Sequence, residues 1–143
     1  MRVGEIMSRH VEFISGEATV SDAAELMGEL DVGALPVGTA ENLEGIVTDR
    51  DILYRVVARG MNAAEVVIRD VSTRPVIGCG GEDTLQAAMD LMAAHHIRRL
   101  AVRDAEGRVL GWITMSDLAR HLLVDSGPVQ AALRDITEEP QAL

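Results

Sequence analysis

GIVTDRDILYRVV at residues 45–57 returns as GWITMSDLARHLL at residues 111–123, with Gly, Thr and Asp at the same places. The likeness extends upstream. Residues 6–37 align without gaps on residues 71–102, with ten identities in 32 positions where unrelated globular segments share about two. The 143-residue chain is therefore two copies of one unit of about 55 residues. A unit that short buries too little apolar area to be stable alone, so the two copies are expected to pack together. The spacing predicts repeat 1 at residues 1–60, a linker at 61–70, repeat 2 at 71–127 and a C-terminal tail at 128–143.

Each copy reads as β-α-β-β-α. The apolar runs VEFI at 11–14 and VIGC at 76–79 predict a first strand, followed by Gly-containing turns that end in a Thr able to cap a helix. Val20, Ala23, Ala24, Met27 and Leu30 then recur at helical spacing, and Leu85, Ala88, Met89 and Met92 repeat the stripe. GALPV with LEGIVT, and RRLAV with VLGWIT, predict two strands separated by turn residues. A second helix closes each copy, with Ile52, Leu53, Val56 and Val57 matching Leu118, Ala119, Leu122 and Leu123 as its apolar side. In the tail, PVQAALRDI has the spacing for two helical turns after Pro128, and TEEPQAL reads as a frayed acidic end.

Composition excludes several function classes. With 23 acidic against 13 basic residues the net charge is −10, which repels nucleic acid and anionic membrane surfaces. One Phe, one Tyr and one Trp give no stacking platform for single strands. No apolar run reaches membrane-spanning length, the N-terminus lacks a signal peptide's apolar middle, and Cys79 is the only cysteine, so a soluble cytoplasmic protein is expected. His95 and His96 are adjacent on a helix end, so their side chains diverge by about 100° and do not form a helical metal pair. Neither a Walker loop, a dinucleotide glycine fingerprint nor a pair of catalytic acids is present, so an enzyme is not expected and neither is a metal.

The repeated phrase itself has two readings. Thr48 and Asp51 stand where a strand gives way to a helix, as do Thr114 and Asp117. In that position a Thr-x-x-Asp is a capping box, as is Thr19 with Asp22. The same place in an α/β unit also suits a nucleoside, because a carboxylate there can accept both ribose hydroxyls. Gly45 and Gly111 let either a ligand or a backbone come close.

The doubled unit, the strands DVGALPV and HIRRLAV, and the paired phrases GIVTDRD and GWITMSD resemble cystathionine-β-synthase-type (CBS) domains over residues 2 to 125. The resemblance implies an α/β fold in which two tandem repeats pack as a pseudo-two-fold pair, or Bateman module, acting as a sensor rather than a catalyst. It implies adenosine-containing ligands, with AMP, ADP, ATP, NAD and S-adenosylmethionine as candidates. One site would draw on Thr48, Arg50, Asp51, Ile77, Arg98 and Arg99. The other would draw on Thr114, Ser116, Asp117, Ala18, Gly33 and Ala34. The first set holds three arginines, suited to forked contacts with phosphate, where the second has Gly33 and Ala34. The second site is therefore expected to be weaker or empty, and Ala101, Met115 and Ser116 depart from the family pattern around it. The resemblance further implies a homodimer acting on an unidentified protein target. A ligand-free dimeric interaction module is the alternative reading.

Overall fold

The computed structural model describes residues 1–123 and 127–138. In chain order it contains α1 (Val3–Ile6), α2 (Val20–Leu30), β1 (Ala34–Gly38), β2 (Leu43–Thr48), α3 (Asp49–Ile52) running into a π-helical turn at Leu53–Val57, and α4 (Ile68–Val71). These are followed by β3 (Gly78–Gly80), α5 (Leu85–His95), β4 (Arg99–Arg103), β5 (Val109–Thr114), α6 (Met115–Leu122) and α7 (Gly127–Glu138). The chain divides into two compact units, one of Val11–Val76 and one of Met1–His10 with Ile77–Leu143.

In the Val11–Val76 unit, β1 and β2 form an antiparallel hairpin with Ala34 opposite Thr48 and Pro36 opposite Ile46. The expected strand at 11–14 is reduced to one parallel bridge from Ile14 to Val37. Two hydrogen bonds make it, from the Ile14 N–H to the Pro36 oxygen and from the Gly38 N–H to the Ile14 oxygen, and the turn at Gly16–Glu17 ends the pairing. In the other unit β3 lies parallel to β4, and β4 is antiparallel to β5 with Arg99 opposite Thr114. Here the first strand does form, two residues later than VIGC predicts at its start. The β-α-β-β-α order thus holds in both copies, with a single bridge in place of the first strand of repeat 1.

The cores follow the repeated apolar stripes. Val20, Ala23 and Met27 of α2 pack with Leu35, Val37 and Val47, and Leu85, Ala88 and Met92 of α5 pack with Leu100, Val102 and Ile113. Ala24 and Leu30, expected on the stripe, face solvent instead, because Leu26 turns inward on the neighbouring helical row. The closing helices depart further from expectation. Val56 and Leu118 are fully buried, whereas Leu53, Val57, Leu122 and Leu123 are all exposed. A helical period reports an apolar side without stating which half of it the same unit covers.

Each unit is completed by residues at the start of the other repeat or just before it. Residues 61–70, expected as a linker, carry Val66 and Ile68 into the core of the Val11–Val76 unit. The Ile68 N–H donates to the Ala18 oxygen, and Thr73 pairs through both backbone bonds with Ile46 on the free edge of β2. At the other end of the chain, Val3 is fully buried among Leu85, Ala88 and Leu100, its N–H donates to the Asp83 oxygen, and Ser8 pairs with Trp112 on the edge of β5. The repeated glycines belong to this contact. A Cβ on Gly45 would stand 2.9 Å from the Thr73 oxygen, and one on Gly111 would stand 2.5 Å from the Ser8 oxygen. The backbone reading of these glycines is the one the fold realises.

In the tail, α7 runs for three turns rather than two, from Gly127 to Glu138. The rest of TEEPQAL, residues 139–143, lies outside the described residues. Burial pushes the Cys79 thiol up to about 11 from its usual 9.0, and the nearby Asp83 charge adds to the shift. No helix of the described residues is long and apolar enough to cross a membrane.

Two measurements check this packing. Gly45→Ala and Gly111→Ala should each lower stability in urea unfolding by about 1–3 kcal/mol through overpacking. Gly28→Ala, at an open position of α2, should raise it by about 0.5–1 kcal/mol. Because the Cys79 shift leaves about a hundred-fold less thiolate below pH 9, native chain should react with a thiol reagent at pH 8 at least about that much more slowly than urea-unfolded chain.

Candidate functional site

A change from extended to helical backbone builds the site in each copy. Thr48 and Thr114 have the same extended conformation, with φ −116° and ψ 162°, and each is the cap of the helix that follows. The Thr48 hydroxyl accepts from the Asp51 N–H at 3.0 Å, and the Thr48 N–H donates to Asp51 Oδ2 at 3.0 Å. Thr114 and Asp117 make the same pair of bonds at 3.2 and 2.9 Å. Thr19 and Asp22 do so as well. All three Thr-x-x-Asp sequences are therefore capping boxes, an arrangement worth about 0.5–2 kcal/mol to the helix it starts.

Beyond the shared cap, the two motif carboxylates are held differently. Asp51 is buried, with 8% of its surface exposed. The Thr73 hydroxyl donates across both of its oxygens, at 3.1 Å to Oδ1 and 3.3 Å to Oδ2, and Arg55 Nε stands 3.7 Å from Oδ1. Arg55 is drawn elsewhere, since its Nη1 donates to the carbonyl oxygens of Val71 and Ser72 at 3.1 and 3.4 Å. Asp117, by contrast, forms a direct ion pair with Arg120, whose Nη2 is 2.6 Å from Oδ1. Sequence reasoning did not single out Thr73, Arg55 or Arg120. The signals were available: Thr73 aligns with Ser8 in the upstream match, and the arginines lie three and four residues after their aspartates, within helical reach.

The other expected residues fall as follows. Arg50 is exposed, with its guanidinium 5.2 Å from the centre of the Tyr54 ring. Gly33 and Ala34 adjoin the first motif of their own unit, where the Asp49 N–H donates to the Gly33 oxygen and Ala34 pairs with Thr48. Arg98 and Arg99 stand in the same relation to the second motif, where the Met115 N–H donates to the Arg98 oxygen and Arg99 pairs with Thr114. Ala18 packs against the core of the Val11–Val76 unit, Ile77 precedes β3 and packs against the core of the other, and Ser116 is exposed.

A groove of about 500 Å³ also lies in the Val11–Val76 unit, lined by Arg55, Arg59, Met61, Glu65, Asp70 and the valines 66, 67 and 71. Of the expected site residues it contains none. Among the described residues no group of three or more His, Cys, Asp or Glu side chains is placed to hold a metal ion.

Comparison with known proteins places these features in a family. The model of the CBS domain matches twice, at residues 3–58 and 68–124. The CBS domain-containing protein YhcV of Bacillus subtilis is 38% identical over 117 residues, which are 82% of either chain. The uncharacterized protein MK0525 of Methanopyrus kandleri is 35% identical over 117 residues, and the chain spans 60% of its length. Among solved structures, a putative signal-transduction protein with CBS domains from Burkholderia ambifaria superimposes with a TM-score of 0.82 at 28% identity, covering 88% of this chain and 96% of that one. Domains of this kind are regulatory rather than catalytic. With its two matched repeats, its mixed α/β fold and its doubled Thr-x-x-Asp motif, the chain belongs to the CBS-domain family.

Proposed function

We propose that the chain is a regulatory module that senses an adenosine-containing ligand, held by its ribose hydroxyls on the Asp51 carboxylate. The observation that carries this reading is the setting of Asp51. An ionised carboxylate offers about four acceptor positions. Asp51 uses them on one backbone N–H and one rotatable hydroxyl, with Arg55 at the outer limit of an ion pair. Acceptor capacity is left over, and the Thr73 hydroxyl can turn away when a diol takes its place. Filling the site would then act on a protein target by binding one conformation better than another.

The apolar residues left exposed on the closing helices favour self-association as the second part of this reading. Leu53, Tyr54, Val57 and Met61 lie close in sequence with 45% to 61% of their surface exposed, and in the other unit Met115, Leu122 and Leu123 are 38%, 53% and 39% exposed. Copies carrying a net charge of −10 repel one another, so apolar contact has to supply the attraction. A second copy of this chain is the partner proposed, through a symmetric interface in which the same patch meets itself.

Three outcomes follow. Hydrogen bonds to a charged group contribute about 1.5–3 kcal/mol each, so Asp51→Ala should weaken calorimetric binding of AMP or ATP by about ten-fold to several hundred-fold. Equal binding by Asp51→Ala and the parent chain would refute the assignment. A thermal-shift series over adenosine, AMP, ADP and ATP should show stabilisation of the parent chain that is lost in Asp51→Ala. Light scattering at micromolar concentration should give a dimer that Leu53→Asp/Val57→Asp converts to monomer, and a monomeric parent chain would remove the dimer from the account.

A further inference from the structure

We propose that Arg120 is a specificity-determining residue that locks the second Thr-x-x-Asp motif against a diol, so that the chain's two copies of the same motif yield one open site. This inference rests on the reading of the motif aspartates as ribose acceptors and adds what decides between them. The caps are equivalent, with Thr114 and Asp117 bonded as Thr48 and Asp51 are. Only the third partner differs.

At Asp117 that partner is a guanidinium at 2.6 Å, with 18% of the Asp117 side chain and 30% of the Arg120 side chain exposed. An ionised donor on an ionised acceptor makes a bond roughly twice as strong as a neutral one, and partial burial reduces screening by water. A ribose presenting neutral hydroxyls to Asp117 would have to displace that cation or share the oxygen with it. At Asp51 no cation stands at the position equivalent to Arg120, for a reason visible in the repeat. The position that aligns with Arg120 is Tyr54, which points its ring to the exposed surface beneath Arg50. Arg55, one residue later, is tied to the Val71 and Ser72 oxygens and approaches Asp51 no closer than 3.7 Å. What meets Asp51 closely is the neutral Thr73 hydroxyl, which a substrate hydroxyl can replace like for like.

The lock is testable in both directions on the full chain, by calorimetric titration with AMP and separately with ATP. The parent chain should take up one nucleotide per chain. Arg120→Met should gain a second, or tighten a weak second one by at least about ten-fold, and Arg120→Met/Asp117→Asn should lose that gain. Conversely Tyr54→Arg, on an exposed position that does not endanger folding, should weaken the first site by at least about ten-fold. Unchanged stoichiometry and affinity in both Arg120→Met and Tyr54→Arg would overturn the lock while leaving the Asp51 site standing. Weaker nucleotide binding in Arg120→Met would also overturn it, by making Arg120 a ligand contact. No uptake of either nucleotide by any variant would overturn the ribose reading and the lock together.

Discussion

The contact on which this structure depends is a backbone laid against a sheet edge with no room for a side chain between. Thr73 runs along β2 at Ile46, and Ser8 runs along β5 at Trp112, each over a glycine whose missing Cβ admits a carbonyl oxygen. Because the incoming segment belongs to the start of the other repeat in sequence, neither unit is finished by its own copy alone. The same contact reaches the functional motif. By fixing Thr73 beside β2 it places a hydroxyl on the Asp51 carboxylate, and Arg55 secures the segment through the Val71 and Ser72 oxygens. Packing and site chemistry are one arrangement here.

Duplication then supplies two motifs that began alike and now differ in their third partner. The capping boxes are conserved in geometry down to the backbone angles of Thr48 and Thr114. A cap needs only the Thr hydroxyl, the Asp carboxylate and two N–H groups, so the position three residues after the Asp is unconstrained by it. Tyr54 and Arg120 exploit that freedom in opposite ways. One leaves its carboxylate to a neutral hydroxyl and a long ion pair with Arg55, and the other pairs it directly with its own guanidinium.

Much of this was legible in the residues. The 65- and 66-residue offsets, the Thr caps and the apolar stripes located both repeats and all the longer elements. Less legible was the strand at 11–14, because an apolar run does not state how many ladder bonds its neighbour offers, and only the Pro36 oxygen and the Gly38 N–H bond to Ile14. Spacing also overstated burial at Leu53, Val57, Leu122 and Leu123, since a helical period marks an apolar side without naming what covers it. Residues 61–70 read as a linker because they fall between the two aligned copies, yet Val66 and Ile68 are core residues of the Val11–Val76 unit. At the site, Thr48, Asp51, Thr114 and Asp117 stood out by repetition. Thr73 and Arg120 did not, because the first acts from a distant segment and the second occurs in one copy only.

The most direct measurement is a nuclear magnetic resonance titration that follows the backbone amides of Thr48 and Thr114, each of which donates to its motif carboxylate. On addition of AMP the Thr48 amide should shift in a saturable way, as a ribose takes over the carboxylate it faces, while the Thr114 amide stays in place. Equal shifts at both amides, or a shift at Thr114 alone, would contradict the account.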